Sequence, residues 1–245
     1  MTEQVSKQGL QGRIAGMAPL RLRYAAQDLG DWLARIGAKK PAFVIIGTGR
    51  CGTNFVADYL TAAGHPCGHE RFYRPSGPLY RATQTQVTPE GDSSWLAVPY
   101  LPETGITAVH QTRAPLPVIK SFLKLGFFHT EHYARHKRFV DFARAHFAFS
   151  DDPLRSSMRW WLEWNEKCTA ITGHHFRLED FHDRTDQLSD WLGLDAPLPK
   201  LDVPADTNTK RSVVAISEDE IESRIRSFPE YPRLVDLAAR LGYEL

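Results

Sequence analysis

The residues best suited to chemistry form one run of eight, Gly47-Thr48-Gly49-Arg50-Cys51-Gly52-Thr53-Asn54. The run lies between a strand-like apolar stretch, Phe43-Val44-Ile45-Ile46, and a helical apolar pattern that starts at Phe55. A strand that turns through glycines into a helix leaves backbone N–H groups pointing outward at the helix's positive end, where an anion is stabilised. The pattern therefore predicts a phosphorylated nucleotide as ligand. The ATP and GTP phosphate loop requires Lys and then Ser or Thr after its last glycine. Here those places hold Thr53 and Asn54, and the cation, Arg50, lies inside the turn instead. The usual lysine for terminal phosphates and the usual magnesium hydroxyl are both missing from the motif.

A second segment has the same character. Ile106-Thr107-Ala108-Val109-His110-Gln111 reads as a short strand, Arg113 stands at its end, and Pro115 suits the first turn of a following helix. Ser121 falls in that helix, eight residues after Arg113.

Arg50-Cys51-Gly52-Thr53-Asn54 resembles the 5′-phosphosulfate loop of sulfotransferases that use 3′-phosphoadenosine 5′-phosphosulfate (PAPS). Thr112 to Phe122 resembles the segment with which that family grips the 3′-phosphate, with Ala114 where an acidic residue is usual. Gly68-His69-Glu70 falls where bacterial sulfotransferases of the carbohydrate-like branch carry a catalytic carboxylate. Ser94-Trp95-Leu96, Trp161 to Glu166 and Arg177-Leu178-Glu179-Asp180 look like scaffold segments of the same branch, so that the similarity spans roughly residues 42 to 212.

The resemblance implies an α/β domain with a mainly parallel sheet of the P-loop nucleotide-binding kind. It implies that Arg50, Cys51, Gly52, Thr53 and Asn54 hold the 5′ end of PAPS, with Arg50 reaching the bridging oxygen. Arg113 and Ser121 would hold the 3′-phosphate, and Lys210 and Arg211, in the polar run Asn208 to Ser212, would be the basic segment that closes over the donor. The implied reaction moves a sulfuryl group to a hydroxyl or amine of a small molecule or glycan, without a metal. A carboxylate or imidazole must then take the acceptor's proton. Glu70 is the favoured base and His69 its neighbour in competition; adjacent residues on an extended strand point to opposite faces, so one of the two is expected to reach the acceptor. Two other functions remain open at this level: a phosphotransferase with a divergent phosphate loop, and a non-catalytic nucleotide-binding regulator.

The elements that must position these residues follow from periodicity. Leu22, Ala25, Leu29, Leu33 and Ile36 predict a leading helix behind a flexible tail at 1–19, and residues 20–245 suit one domain. Strand 43–47 leads to a helix with Phe55, Val56, Tyr59, Leu60 and Ala63 on one face, ended by Gly64. A short strand approaches His69, and residues 71–90 read as a long loop over the site. The region from about 130 to 172 is helical, with Trp161, Trp164, Cys168 and Ile171 on a core-facing stripe. His174 to Glu179 reads as a strand, a helix follows through Trp191, and two helices at about 217–228 and 232–241 close the chain, with Gly242 as C-cap. Strands alternating with helices imply a parallel sheet that binds ligands beyond its carboxyl ends.

Composition narrows the partners. A formal net charge of +1 gives no reason to expect nucleic-acid binding. Cys51, Cys67 and Cys168 lack a paired zinc spacing, and their odd number suits a reduced compartment, the cytoplasm. His129, His132 and His136 read as a solvated or packed face, not as metal ligands. Met1 to Gly12 is polar, and no run of about 18 apolar residues suggests a membrane span.

Overall fold

The structure is a computed structural model that describes residues 40–78, 90–129, 133–201 and 216–245. The expected tail, the leading helix, part of the 71–90 loop, His132 and the Lys210–Arg211 segment lie outside these residues.

Seven strands are described: β1 (Phe43–Ile46), β2 (Cys67–His69), β3 (Tyr73–Arg74), β4 (Gly77–Pro78), β5 (Gly91–Ser93), β6 (Thr107–Thr112) and β7 (His175–Arg177). Five form a parallel sheet in the order β2-β5-β1-β6-β7, and β3 pairs with β4 in a separate antiparallel ribbon. The helices are α1 (Thr53–Ala62), α2 (Pro115–Leu125), α3 (Tyr133–His146), α4 (Pro153–Ile171), α5 (Thr185–Leu192), α6 (Glu218–Ile225) and α7 (Tyr231–Arg240). Two 3₁₀ helices, Trp95–Glu103 and Leu178–Asp183, complete the set.

All four residues of β1 are buried, as a central parallel strand covered on both faces requires. Its side chains alternate between two cores. Val44 and Ile46 join Trp95, Val118, Met158, Trp160 and Leu234 on one face, whereas Phe43 and Ile45 join Val56, Leu60, Val109 and Phe181 on the other. Trp161, Trp164 and Cys168 of α4 are buried in the first core, as their spacing predicts.

From β1 the chain runs through α1 past β5 to β2, and from β6 it leads outward on the other side to β7. The direction of the winding changes between β1 and β6. In open α/β sheets the crevice beyond the carboxyl ends of two such strands is the ligand-binding place.

One expectation is corrected here, and one strand is added. The strand predicted over His174–Glu179 stops at Arg177 and winds into a 3₁₀ helix, which carries Glu179 back toward β6. Strand β5, Gly91-Asp92-Ser93, was not anticipated: it has no apolar side chain and owes its place to pairing between β1 and β2.

Candidate anion and proton-transfer site

The turn after β1 is shaped by positive φ values at Gly49 (71°), Arg50 (58°) and Gly52 (95°). Glycine is required at 52 twice over, since a Cβ there would sit 2.7 Å from Leu178 Cδ2 in addition to the left-handed backbone. The turn's carbonyls are drawn inward. Trp160 Nε1 donates to the Thr48 carbonyl at 2.7 Å, and Gln111 Nε2 donates to the Cys51 carbonyl at 2.7 Å. Gly52 is the N-cap of α1 and supplies no side-chain bond to it, so the helix's first N–H groups keep their capacity for an external acceptor.

Thr53 and Asn54 therefore lie inside the first turn of the helix and do not cap it. Thr53 Oγ1 lies 3.1 Å from His69 Nε2, and Asn54 Nδ2 donates to Asp58 Oδ2 at 3.0 Å. The Cys51 side chain is buried, and burial pushes its thiol up to about 11, which leaves only its backbone facing the turn's outer side.

The arginines from the two predicted segments meet. Arg50 Nε donates to Ser121 Oγ at 2.8 Å, and Arg113 Nη1 donates to the Arg50 carbonyl at 3.3 Å. Burial, and then the neighbouring Arg113 charge, lowers the Arg50 pKa. Arginine stays charged through such a shift, so two half-buried guanidinium groups sit together without an ion pair to either among the described residues. An anion between them would relieve that repulsion.

The end of β6 is held from several directions. Trp161 Nε1 donates to the Arg113 carbonyl at 2.9 Å, and the Ala114 N–H donates to Glu179 Oε1 at 2.9 Å. Tyr243 donates to Glu179 Oε2 at 3.0 Å and lies 2.9 Å from Thr112 Oγ1. Sequence reasoning assigned no role to Glu179 or Tyr243 in placing Arg113; the contacts join residues far apart in the chain, with no local pattern to mark them.

On the other flank, β2 brings His69 and Glu70 to the same edge. The expectation that they occupy opposite faces of an extended strand is corrected: Glu70 lies past the last strand residue in a left-handed conformation, φ 53°. Its carboxylate lies 3.8 Å from His69 Nε2. Burial, with Arg50 and Arg71 adding to it, lowers the His69 pKa to about 4, so the imidazole is neutral near pH 7. A buried aspartate absent from the sequence reading, Asp92, accepts the N–H groups of Arg71, Phe72 and Tyr73 beside this corner. The signal for it was a charged residue three positions ahead of the apolar run Trp95-Leu96-Ala97-Val98.

Lys210 and Arg211 lie outside the described residues. A cleft of about 500 Å³ along the β7 edge, lined in part by Arg177, Trp191 and Leu241, contains none of the expected site residues. No helix among the described residues is long and apolar enough to cross a membrane.

Fold and site together define a parallel α/β sheet with two adjacent arginines at its switch point and a carboxylate on one side of them. No protein-family model matches the chain, and no curated protein shows significant similarity to it.

Proposed function

We propose that this chain is a PAPS-dependent sulfotransferase with a P-loop-like nucleotide-binding fold, acting on a hydroxyl or amine of a small molecule or glycan. The observation that carries the reading is the meeting of Arg50, Arg113 and Ser121, from two separated segments, at the carboxyl ends of β1 and β6. A donor with phosphate groups at both ends of its nucleoside needs two such anchor points, one at a helix N-terminus and one at a strand end. Gly52, which leaves the first turn of α1 uncapped, supplies the former, and Arg113 with Ser121 the latter.

The acceptor oxygen or nitrogen attacks sulfur in line. The new bond to sulfur forms as the bond from sulfur to the bridging phosphate oxygen breaks, giving the sulfated product and 3′-phosphoadenosine 5′-phosphate (PAP). Glu70 takes the acceptor's proton, and His69, whose pKa burial lowers to about 4, stands beside it as a neutral imidazole near pH 7. Arg50 offsets the charge growing on the leaving oxygen, and removing one preorganised donor of this kind typically costs about 3 to 4 kcal/mol of barrier. The cysteine content suits a cytoplasmic setting for the reaction.

The test is a calorimetric titration of PAP against AMP with chelator present, followed by mass spectrometry of a metabolite extract incubated with PAPS. Tight, metal-independent binding of PAP over AMP and a new sulfated product support the reading. Equal affinity for both nucleotides would remove the 3′-phosphate role of Arg113 and Ser121. An absolute magnesium requirement would favour the phosphotransferase, and PAP binding without any turnover the regulator.

A further inference from the structure

Residues 70–73 turn away from the carboxyl end of β2, and β5 holds them through successive backbone N–H groups. Glu70 N–H donates to the Ser93 carbonyl at 3.2 Å. Asp92 Oδ1 accepts from Arg71 N–H at 2.8 Å, and Oδ2 accepts from Phe72 and Tyr73 N–H at 3.2 and 3.4 Å. Asp92 is fully buried, and so are the rings of Phe72 and Tyr73 that follow the corner into the core.

The carboxylate crosses a space left open by its register partner in β2. A Cβ on Gly68 would lie 2.8 Å from Asp92 Oδ1 and 2.6 Å from Arg71 Cγ. A buried charge is expensive, and here burial pushes the Asp92 carboxyl up to about 7 in spite of its three backbone donors. An apolar side chain would fill the same sheet position at lower cost but would leave those N–H groups unpaired.

What the grip fixes is Glu70. Arg50 and Glu70 are the non-glycine residues with positive φ among the described residues, and both belong to the proposed machinery. Glutamate is disfavoured in that region and needs outside bonds to stay there. The resulting direction of its side chain puts the carboxylate beside His69, which in turn lies against Thr53 at the start of α1.

We infer that Asp92 is a positioning residue: by accepting the N–H groups of Arg71, Phe72 and Tyr73 it holds Glu70 in the left-handed conformation that turns its carboxylate toward the anion site. This rests on the reading of Glu70 as the base. Asp92 touches neither donor nor acceptor; it acts through the corner.

Two substitutions loosen the grip by different routes. Asp92→Asn keeps the shape and replaces one acceptor with a donor, whereas Gly68→Ala keeps the carboxylate and crowds it. Each is measured alone and in a Glu70→Gln background for kcat, PAPS KM and PAP affinity, with melting curves to separate a folded, slow enzyme from a misfolded one. The expected result is unchanged PAPS KM and PAP affinity with kcat lowered about 100-fold, the loss typical of a displacement of about 1 Å in a reacting group. Neither substitution should lower kcat further once Glu70 is Gln, because coupled residues are non-additive. Parent-like kcat in the folded variants would overturn the inference, as would losses that multiply with that of Glu70→Gln. If Asp92→Asn does not fold, Gly68→Ala carries the test. Should the parent transfer no sulfuryl group, the functional reading fails separately, and the ¹³C shift of the Glu70 carboxyl in the folded variants decides the structural claim. A changed shift supports it, and a parent-like shift overturns it.

Discussion

On the β6 side of the turn, Thr112, Arg113 and Ala114 are held by hydrogen bonds to three separate parts of the chain: Arg113 to the Trp161 indole in α4, Ala114 to Glu179 in a 3₁₀ helix and Thr112 to Tyr243 near the carboxyl terminus. On the β2 side, Glu70 is fixed by one neighbouring strand, through the Asp92 carboxylate and the Ser93 carbonyl. The first flank spreads its load over many contacts, and burial raises the Tyr243 pKa so that the hydroxyl stays protonated. The second concentrates its load on one titratable group. Losing a single contact should therefore be tolerated on the cation side and not on the carboxylate side.

The flanks also differ in how buried charge links them to pH. The Asp92 pKa is raised from 3.8 to about 7, so its stabilising contribution is complete below about pH 4 and is lost as pH rises through 7. His110 lies beneath the cation side, within 2.9 Å of Asn165 Oδ1, and burial lowers its pKa from 6.5 to about 4. Its contribution is complete above pH 6.5 and is lost as pH falls toward 4. Chemical denaturation across this range should show the parent's advantage over Asp92→Asn shrinking as pH rises, by up to ~4 kcal/mol. The parent's advantage over His110→Gln should instead grow as pH rises, by up to ~3 kcal/mol. Slopes of the same sign for the two variants would erase the contrast.

Glu70→Gln addresses the carboxylate flank alone. An amide cannot take the acceptor's proton, so kcat should fall about 100-fold or more while PAP affinity is kept. His69→Asn is the paired control, and the larger loss of turnover in that variant would make the imidazole the base. On the cation flank, Arg113→Ala should raise the PAPS KM by the loss of a charge-assisted bond, about 1.5 to 3 kcal/mol, with kcat less affected. Ser121→Ala should act in the same direction more weakly. Parent-like PAP binding in both variants would show that the strand end is not the 3′-phosphate site.

The smallest effect is expected at Tyr243→Phe. It removes one hydroxyl from a clamp that keeps Trp161 and the Ala114–Glu179 bond, so PAP affinity should change little and stability should fall by about 1 kcal/mol. A loss of PAP binding as large as that of Arg113→Ala would mean that the load on the cation flank is not shared.

Much of the cation flank was legible in the sequence because its signals are local. The turn from β1 into α1 announces itself by glycines between an apolar run and a 3.6-residue period, and the step from β6 to α2 by Pro115 after a strand. That Arg50 and Ser121, 71 residues apart, touch was beyond such signals, although each segment separately suggested an anion. The carboxylate flank was only half legible. His69 and Glu70 were found by residue type, but the alternation of an extended strand misplaced Glu70, because the strand ends one residue earlier and the chain turns left-handed.

The sequence by itself determined the glycine turn between β1 and α1, the strand-end arginine and the helices with a clear apolar face, since propensity and periodicity act over a few neighbouring residues. Tertiary structure decided the rest. A three-residue strand such as β5 has too few side chains to show a period, so its place between β1 and β2, and with it the reach of Asp92 to the corner after Glu70, came from backbone pairing with partners elsewhere in the chain. The clamp on Arg113 likewise joins Thr112 to Tyr243 across 131 residues. Hydrogen bonds of that span leave no trace in local composition, because they depend on where the completed sheet and helices bring their ends.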